Sequence, residues 1–117
     1  MSDLKVPSKV KLHKKSKQLE LCYGATSYQL SCEYLRVFSP SAEVRGHGQG
    51  QSVLQFGKKD VAITAVVAVG NYAIQPTFDD GHDSGIFSWD YLFELAQNYD
   101  ANWEHYLNRL SDAGLAR

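Results

Sequence analysis

The chain has 117 residues, 44% of them apolar and 21% charged. That length fits one domain with its own hydrophobic core, and the composition excludes a disordered chain, a collagen-like repeat or a disulfide scaffold. With 12 Lys+Arg against 13 Asp+Glu the formal net charge is −1, which argues against a protein that works by gripping nucleic acid, because that needs a basic excess.

The neutral total hides a gradient. Residues 1–17 carry six lysines and one acid, Asp3, whereas residues 79–117 carry eight acids and only Arg109 and Arg117. Either the basic head lies against the acidic helices of its own domain, or it is a basic arm offered to an acidic partner. The N-terminus has no apolar core of a secretory signal, and the longest apolar stretch, Val61 to Val69, is far below the ~20 residues that span a bilayer. It reads as a buried strand. The two cysteines, Cys22 and Cys32, lack Cys-x-x-Cys spacing, so reduced thiols and a cytoplasmic location are expected.

In chain order, Val10–Lys14 and Gln18–Tyr23 alternate apolar and polar residues, as strands do, with a hairpin turn at Lys15-Ser16. Gly24-Ala25 is the next turn and Tyr28–Leu30 a third strand. Ser31 is placed as an N-cap, with Glu33 in the first turn of a helix over Cys32–Phe38 that Pro40 stops. Residues 39–52 read as a long loop with alternating Gly46, Gly48 and Gly50. Gly57–Asp60 then turns the chain from Val53–Phe56 into the Val61–Val69 strand. Tyr72–Phe78 and Ser84–Phe87 flank Asp79-Asp80-Gly81-His82, a hairpin signal through Asp-Gly. Pro76 puts its strand at an edge or a bulge. Ser88 caps a helix with the stripe Trp89, Leu92, Phe93, Ala96 and Tyr99. Asp100 caps a last helix with Trp103, Tyr106, Leu107 and Leu110 on one face, ended by Gly114. The order predicts an α+β fold: a mainly antiparallel sheet with one short helix and two C-terminal helices. A single domain over 8–112 is expected, with tails at 1–7 and 113–117.

Two long runs are distinctive: Leu35-Arg36-Val37-Phe38-Ser39-Pro40-Ser41-Ala42-Glu43-Val44-Arg45-Gly46-His47-Gly48, and Gly70 through Leu92 with Asp79-Asp80-Gly81-His82-Asp83 at its centre. Together they resemble the gamma-butyrobetaine hydroxylase-like N-terminal domain family, and this chain looks like a stand-alone member. In the oxygenases that carry it, the domain precedes a separate iron- and 2-oxoglutarate-dependent catalytic domain. It also occurs appended to some iron–sulfur carrier ATPases. The resemblance implies an accessory or binding role near iron enzymes or iron–sulfur handling, with an iron or iron–sulfur protein as partner. It does not imply hydroxylase activity, since the catalytic domain is not in these residues.

The resemblance also implies where a zinc site would fall. The oxygenase cysteines correspond to Ser39, Ser41 and Val44, and the ligating histidine to His82. A hydroxyl is a poor zinc ligand beside a thiolate, and valine is none. The family's structural zinc is therefore not expected in this chain.

The residues themselves leave two readings of the hairpin tip. In one, His82 with Asp80, and His47 from the glycine loop, with Glu43 nearby, form a small metal site. Imidazole and carboxylate suit iron, zinc or manganese. Asp79, Asp83 and Arg45 would then line it as binding residues. In the other, Asp79 and Asp80 shape the hairpin through Asx turns, and His82 hydrogen-bonds the Ser39-Pro40-Ser41 turn in place of metal. Gly46–Gly50 lacks the Lys-Ser/Thr of a phosphate loop. No serine lies in a Gly-x-Ser-x-Gly elbow, so no enzyme is expected. A nucleic-acid adaptor using the Lys-rich first strands is the weakest alternative, because aromatic residues do not interleave with the basic ones. The expected role is a non-catalytic interaction domain, with a small metal-binding protein as the alternative.

Overall fold

The computed structural model describes residues 6–41 and 53–117. Three strands open the chain: β1 (Lys9–His13), β2 (Gln18–Tyr23) and β3 (Thr26–Ser31). They form an antiparallel sheet in which Val10 faces Leu21 and Leu19 faces both Leu12 and Leu30. Side chains alternate along a strand, so this register collects Leu19, Leu21 and Leu30 on one buried face. Helix α1 (Cys32–Val37) follows directly, with the Tyr34 backbone N–H donating to the Ser31 hydroxyl at 3.0 Å as the expected N-cap.

The second sheet has the order β4 (Ile63–Val69), β5 (Ala73–Phe78) and β6 (Phe87–Ser88). The α+β class is as the sequence predicts, but the strands divide into two three-stranded sheets. Ser88 accepts from the Tyr91 N–H at 3.1 Å and opens α2 (Trp89–Gln97). Helix α3 (Tyr99–Ala113) ends at Gly114, whose φ of 69° is the left-handed cap that glycine tolerates best.

One core joins both sheets to α1 and α2. It contains Leu19, Leu21, Tyr34, Leu35, Ile63, Phe78, Phe87 and Leu92. Each large side chain fully buried there contributes about 2 kcal/mol. A second cluster of Val37, Tyr106 and Leu110 fixes α3 against α1. The Tyr34 hydroxyl ties the helices further, donating to the Leu95 carbonyl at 2.7 Å and accepting from the Asn102 amide at 3.0 Å.

Several expectations need correction. The apolar run after Asp60 is not a buried strand: β4 is an edge strand, with Val61 and Ile63 buried but Thr64, Ala65, Val67 and Ala68 exposed. Val53–Phe56 forms no strand and runs irregularly against α3, where the Tyr106 hydroxyl donates to the Gln55 carbonyl at 2.9 Å. Helix α3 starts at Tyr99, so Asp100 lies within its first turn and does not cap it. On that helix Tyr106 and Leu110 are buried but Leu107 is exposed. The hairpin return is also shorter than its turn signal suggested, since β6 pairs with β5 only at Ala73–Ser88 and Ile74–Phe87. Pro76 does not mark an edge strand either: β5 is the middle strand, Pro76 pairs with Val66 of β4, and the irregular register lies at Ile63–Ala65 of β4, while β6 reaches only Ala73 and Ile74.

Candidate functional site

The site forms where the exit of α1 meets the β5 hairpin tip. The chain leaves α1 through Phe38, whose carbonyl accepts from the Tyr91 hydroxyl of α2 at 2.6 Å. Ser39-Pro40-Ser41 then turns beneath the tip. The tip is shaped by Gly81, with φ of 92°, and by backbone bonds from Phe78 N–H to the His82 carbonyl and from Gly81 N–H to the Phe78 carbonyl. The Asp80 Oδ1 accepts from the His82 N–H at 3.2 Å. That is an Asx turn, and it swings the His82 imidazole inward.

His82 is buried at 6% exposure, as are Ser39 at 1% and Ser41 at 5%. The Ser39 hydroxyl is hydrogen-bonded to His82 Nε2 at 2.9 Å and the Ser41 hydroxyl to the same nitrogen at 3.3 Å. The ring also lies against Phe78, with 5.9 Å between centroids. Both hydroxyls thus converge on one ring nitrogen of the imidazole. Two hydroxyls and one imidazole are a poor donor set for zinc, which takes thiolate, imidazole and carboxylate. The described residues at this position do not fit the metal that the oxygenases hold.

Asp80 is directed elsewhere. Its Oδ2 accepts from Arg36 Nε at 2.9 Å and from Lys58 Nζ at 2.8 Å. Partial burial alone pushes this carboxyl up, but hydrogen bonds from Lys58, the His82 backbone and Arg36 outweigh it and lower it to about 2. Arg36 also donates from Nη1 to the Gln55 side chain at 3.2 Å. One carboxylate therefore ties α1, the hairpin tip and the turn before β4 together. Asp79 Oδ1 accepts from the Ala62 N–H at 3.1 Å, which makes it a turn residue. Asp83 is exposed, and its carbonyl accepts from the Gln75 amide at 2.7 Å. His47, Glu43, Val44 and Arg45, which the sequence offered as further site residues, lie outside the described residues.

Gly85 is a site residue that the sequence reading missed. A side chain there would collide with Ser39 Oγ, so the Ser39 hydroxyl reaches His82 only because residue 85 has no side chain. Beside the knot a cavity of about 160 Å3 opens between Phe38, Ser39, Leu54, Tyr91 and Tyr106. Both cysteines are free thiols, and burial pushes the Cys32 thiol up. Among the described residues no helix is long and apolar enough to cross a membrane.

Fold and site together define a small α+β domain with a buried histidine–serine knot at the junction of a helix exit and a hairpin tip. Residues 10–93 match the family described as Gamma-butyrobetaine hydroxylase-like, N-terminal, and the chain belongs to that family. Two protein structures determined in solution by NMR are similar to it. One is 54% identical, covering 97% of this chain and 90% of its own, with a TM-score of 0.86. The other is 49% identical, covering 100% of this chain and 88% of its own, with a TM-score of 0.83. A crystal structure of a protein with unknown function from Acidithiobacillus ferrooxidans, belonging to the DUF971 family, is 34% identical, with a TM-score of 0.67. That match covers 81% of this chain and 98% of the other. Among curated proteins none matches the chain.

Proposed function

We propose that the chain is a non-catalytic accessory domain that docks on an iron-dependent or iron–sulfur protein. The observation that supports this is the spending of the polar residues on structure. His82, Ser39 and Ser41 bond one another, Asp80 bonds Arg36 and Lys58, Asp79 bonds backbone, and Ser88 caps a helix. A serine hydroxyl on an imidazole nitrogen is also the first half of a nucleophilic pair. Here that hydroxyl is buried beneath Gly85, and its nitrogen is shared with a second serine. Such a pair suits holding two loops together better than meeting a substrate. The iron link comes from membership of the family alone.

The test is affinity capture of the tagged protein from its own cells, with mild cross-linking and without oxygen. Enrichment of an iron or iron–sulfur protein is expected, and it should survive a competing excess of untagged domain only weakly. Capture that enriches no such protein overturns the reading.

A further inference from the structure

We propose that a basic groove on the face where the first hairpin meets the C-terminal end of the chain binds an acidic segment of a protein partner. The proposal deepens the docking reading and rests on it for the existence of a partner, but not for that partner's iron. The groove encloses about 270 Å3 and is lined by Lys17, Lys59 and Arg117, with Tyr99, Trp103 and Val61 as its apolar wall.

Three observations carry this. First, Lys17 is the only non-glycine residue with positive φ among the described residues, at 56°. Glycine or asparagine would fill that turn position without steric cost. A lysine there places its ammonium across the gap to the second sheet, where Nζ donates to the Asp60 carbonyl at 3.1 Å and keeps two further hydrogens. Second, Arg117 is fixed in the groove. It donates from Nε and Nη2 to the two oxygens of buried Glu33 at 3.1 and 2.8 Å, and its guanidinium lies 5.3 Å from the Trp103 ring. Third, the charge that lines the groove is positive: Arg117 and Glu33 cancel, which leaves Lys17 and exposed Lys59. Exposed Asp60 lies beside Lys59, and exposed Lys14 and Lys15 on the hairpin turn offset it.

Fixed cations beside an indole and a valine match a carboxylate next to an apolar side chain. An acidic peptide offers that pairing. A nucleic acid would need a longer basic track and a basic total charge.

The experiment titrates the full chain with a short fluorescein-labelled peptide of glutamates around one leucine. Binding is followed by anisotropy and by the tryptophan fluorescence of a Trp89→Phe variant, in which Trp103 alone reports. Saturable binding that weakens with salt is expected. Lys17→Gly together with Lys59→Glu should weaken it roughly tenfold, the size of two lost surface charge contacts. Lys17→Gly should leave the melting temperature unchanged or raised, since it relieves the turn. Lys9→Glu with Lys11→Glu, on β1 away from the groove, should leave binding unchanged. The proposal is overturned by no saturable binding, by equal loss in the β1 variant, by equal affinity for a glutamine version of the peptide, or by tighter binding of a single-stranded RNA of the same charge. Peptide binding without an iron protein in the capture experiment would keep the groove and remove the iron partner.

Discussion

Removing both serine hydroxyls from His82 should cost more than the two single removals combined. A neutral hydrogen bond contributes a net ~1 kcal/mol, while a buried polar atom left without a partner costs about 1–3 kcal/mol. The bonds to Nε2 are unequal, 2.9 Å from Ser39 and 3.3 Å from Ser41. Ser41→Ala should therefore cost about 0.5 kcal/mol, because the shorter bond remains, and Ser39→Ala about 1 kcal/mol. With both gone, Nε2 loses both hydroxyls in a site only 6% exposed, and the loss should reach about 3 kcal/mol. For a domain of this length that lowers the melting temperature by roughly 10 °C. Urea denaturation followed by circular dichroism measures all four proteins, read as midpoints at a constant slope. A double variant no less stable than the sum of the singles would refute the knot as the element that pins the turn after α1.

The Asp80 carboxyl, at about 2 when folded against an ordinary 3.8, stabilises the fold above pH 4. That contribution, about 1 kcal/mol once solvent screening of this partly exposed group is counted, should be lost as pH falls from 4 through 2, and an acid titration of Asp80→Asn should lack this step. Gly85→Ala should drive a methyl into the Ser39 hydroxyl and cost about 1–3 kcal/mol, with the His82 side-chain NMR signals shifting as Ser39 withdraws. Alkylation should modify half-buried Cys22 first, and buried Cys32 only at the rate of opening, which mass spectrometry of timed samples reads directly. Ser39→Cys with Ser41→Cys should give His82 two thiolate neighbours, bind zinc and melt higher with it, whereas the unaltered chain should show no zinc-dependent shift.

The local signals were legible because they rest on short-range rules. Ser31 and Ser88 carry the capping hydroxyl, and both helices begin one residue later. The alternation from Gln18 to Tyr23 gives the first sheet its register. The Asp-Gly signal gives a turn at Asp80-Gly81, because the Asp80 carboxylate meets the N–H two residues on. What escaped depends on the third dimension. The exposure of Val67 comes from the edge position of β4, which an apolar run does not reveal. Arg36 reads as a surface residue of a short helix, yet its ion pair lies 44 residues away at Asp80. Gly85 looks like one glycine among nine, and only the packing of Ser39 against it shows why a side chain is not allowed.

The knot joins loop and hairpin tip by direct hydrogen bonds across a gap that is close to the one a metal ion would bridge. In a tetrahedral zinc site a thiolate sulfur at ~2.3 Å and an imidazole nitrogen at ~2.0 Å from the ion stand about 3.5 Å apart. Here the hydroxyl oxygens stand 2.9 and 3.3 Å from the nitrogen. The O···N distances are a few tenths of an ångström shorter than that S···N distance, so direct hydrogen bonds span what an ion would bridge. That close approach is possible because Gly85 yields the space behind Ser39. It is held because Asp80, drawn out toward Arg36 and Lys58, keeps the tip turned inward through the His82 N–H. A metal would supply its binding energy at a single point. This arrangement spreads the same task over a hydrogen-bonded knot and an ion-paired carboxylate, so its stability should depend on acid where Asp80 titrates and not on chelators.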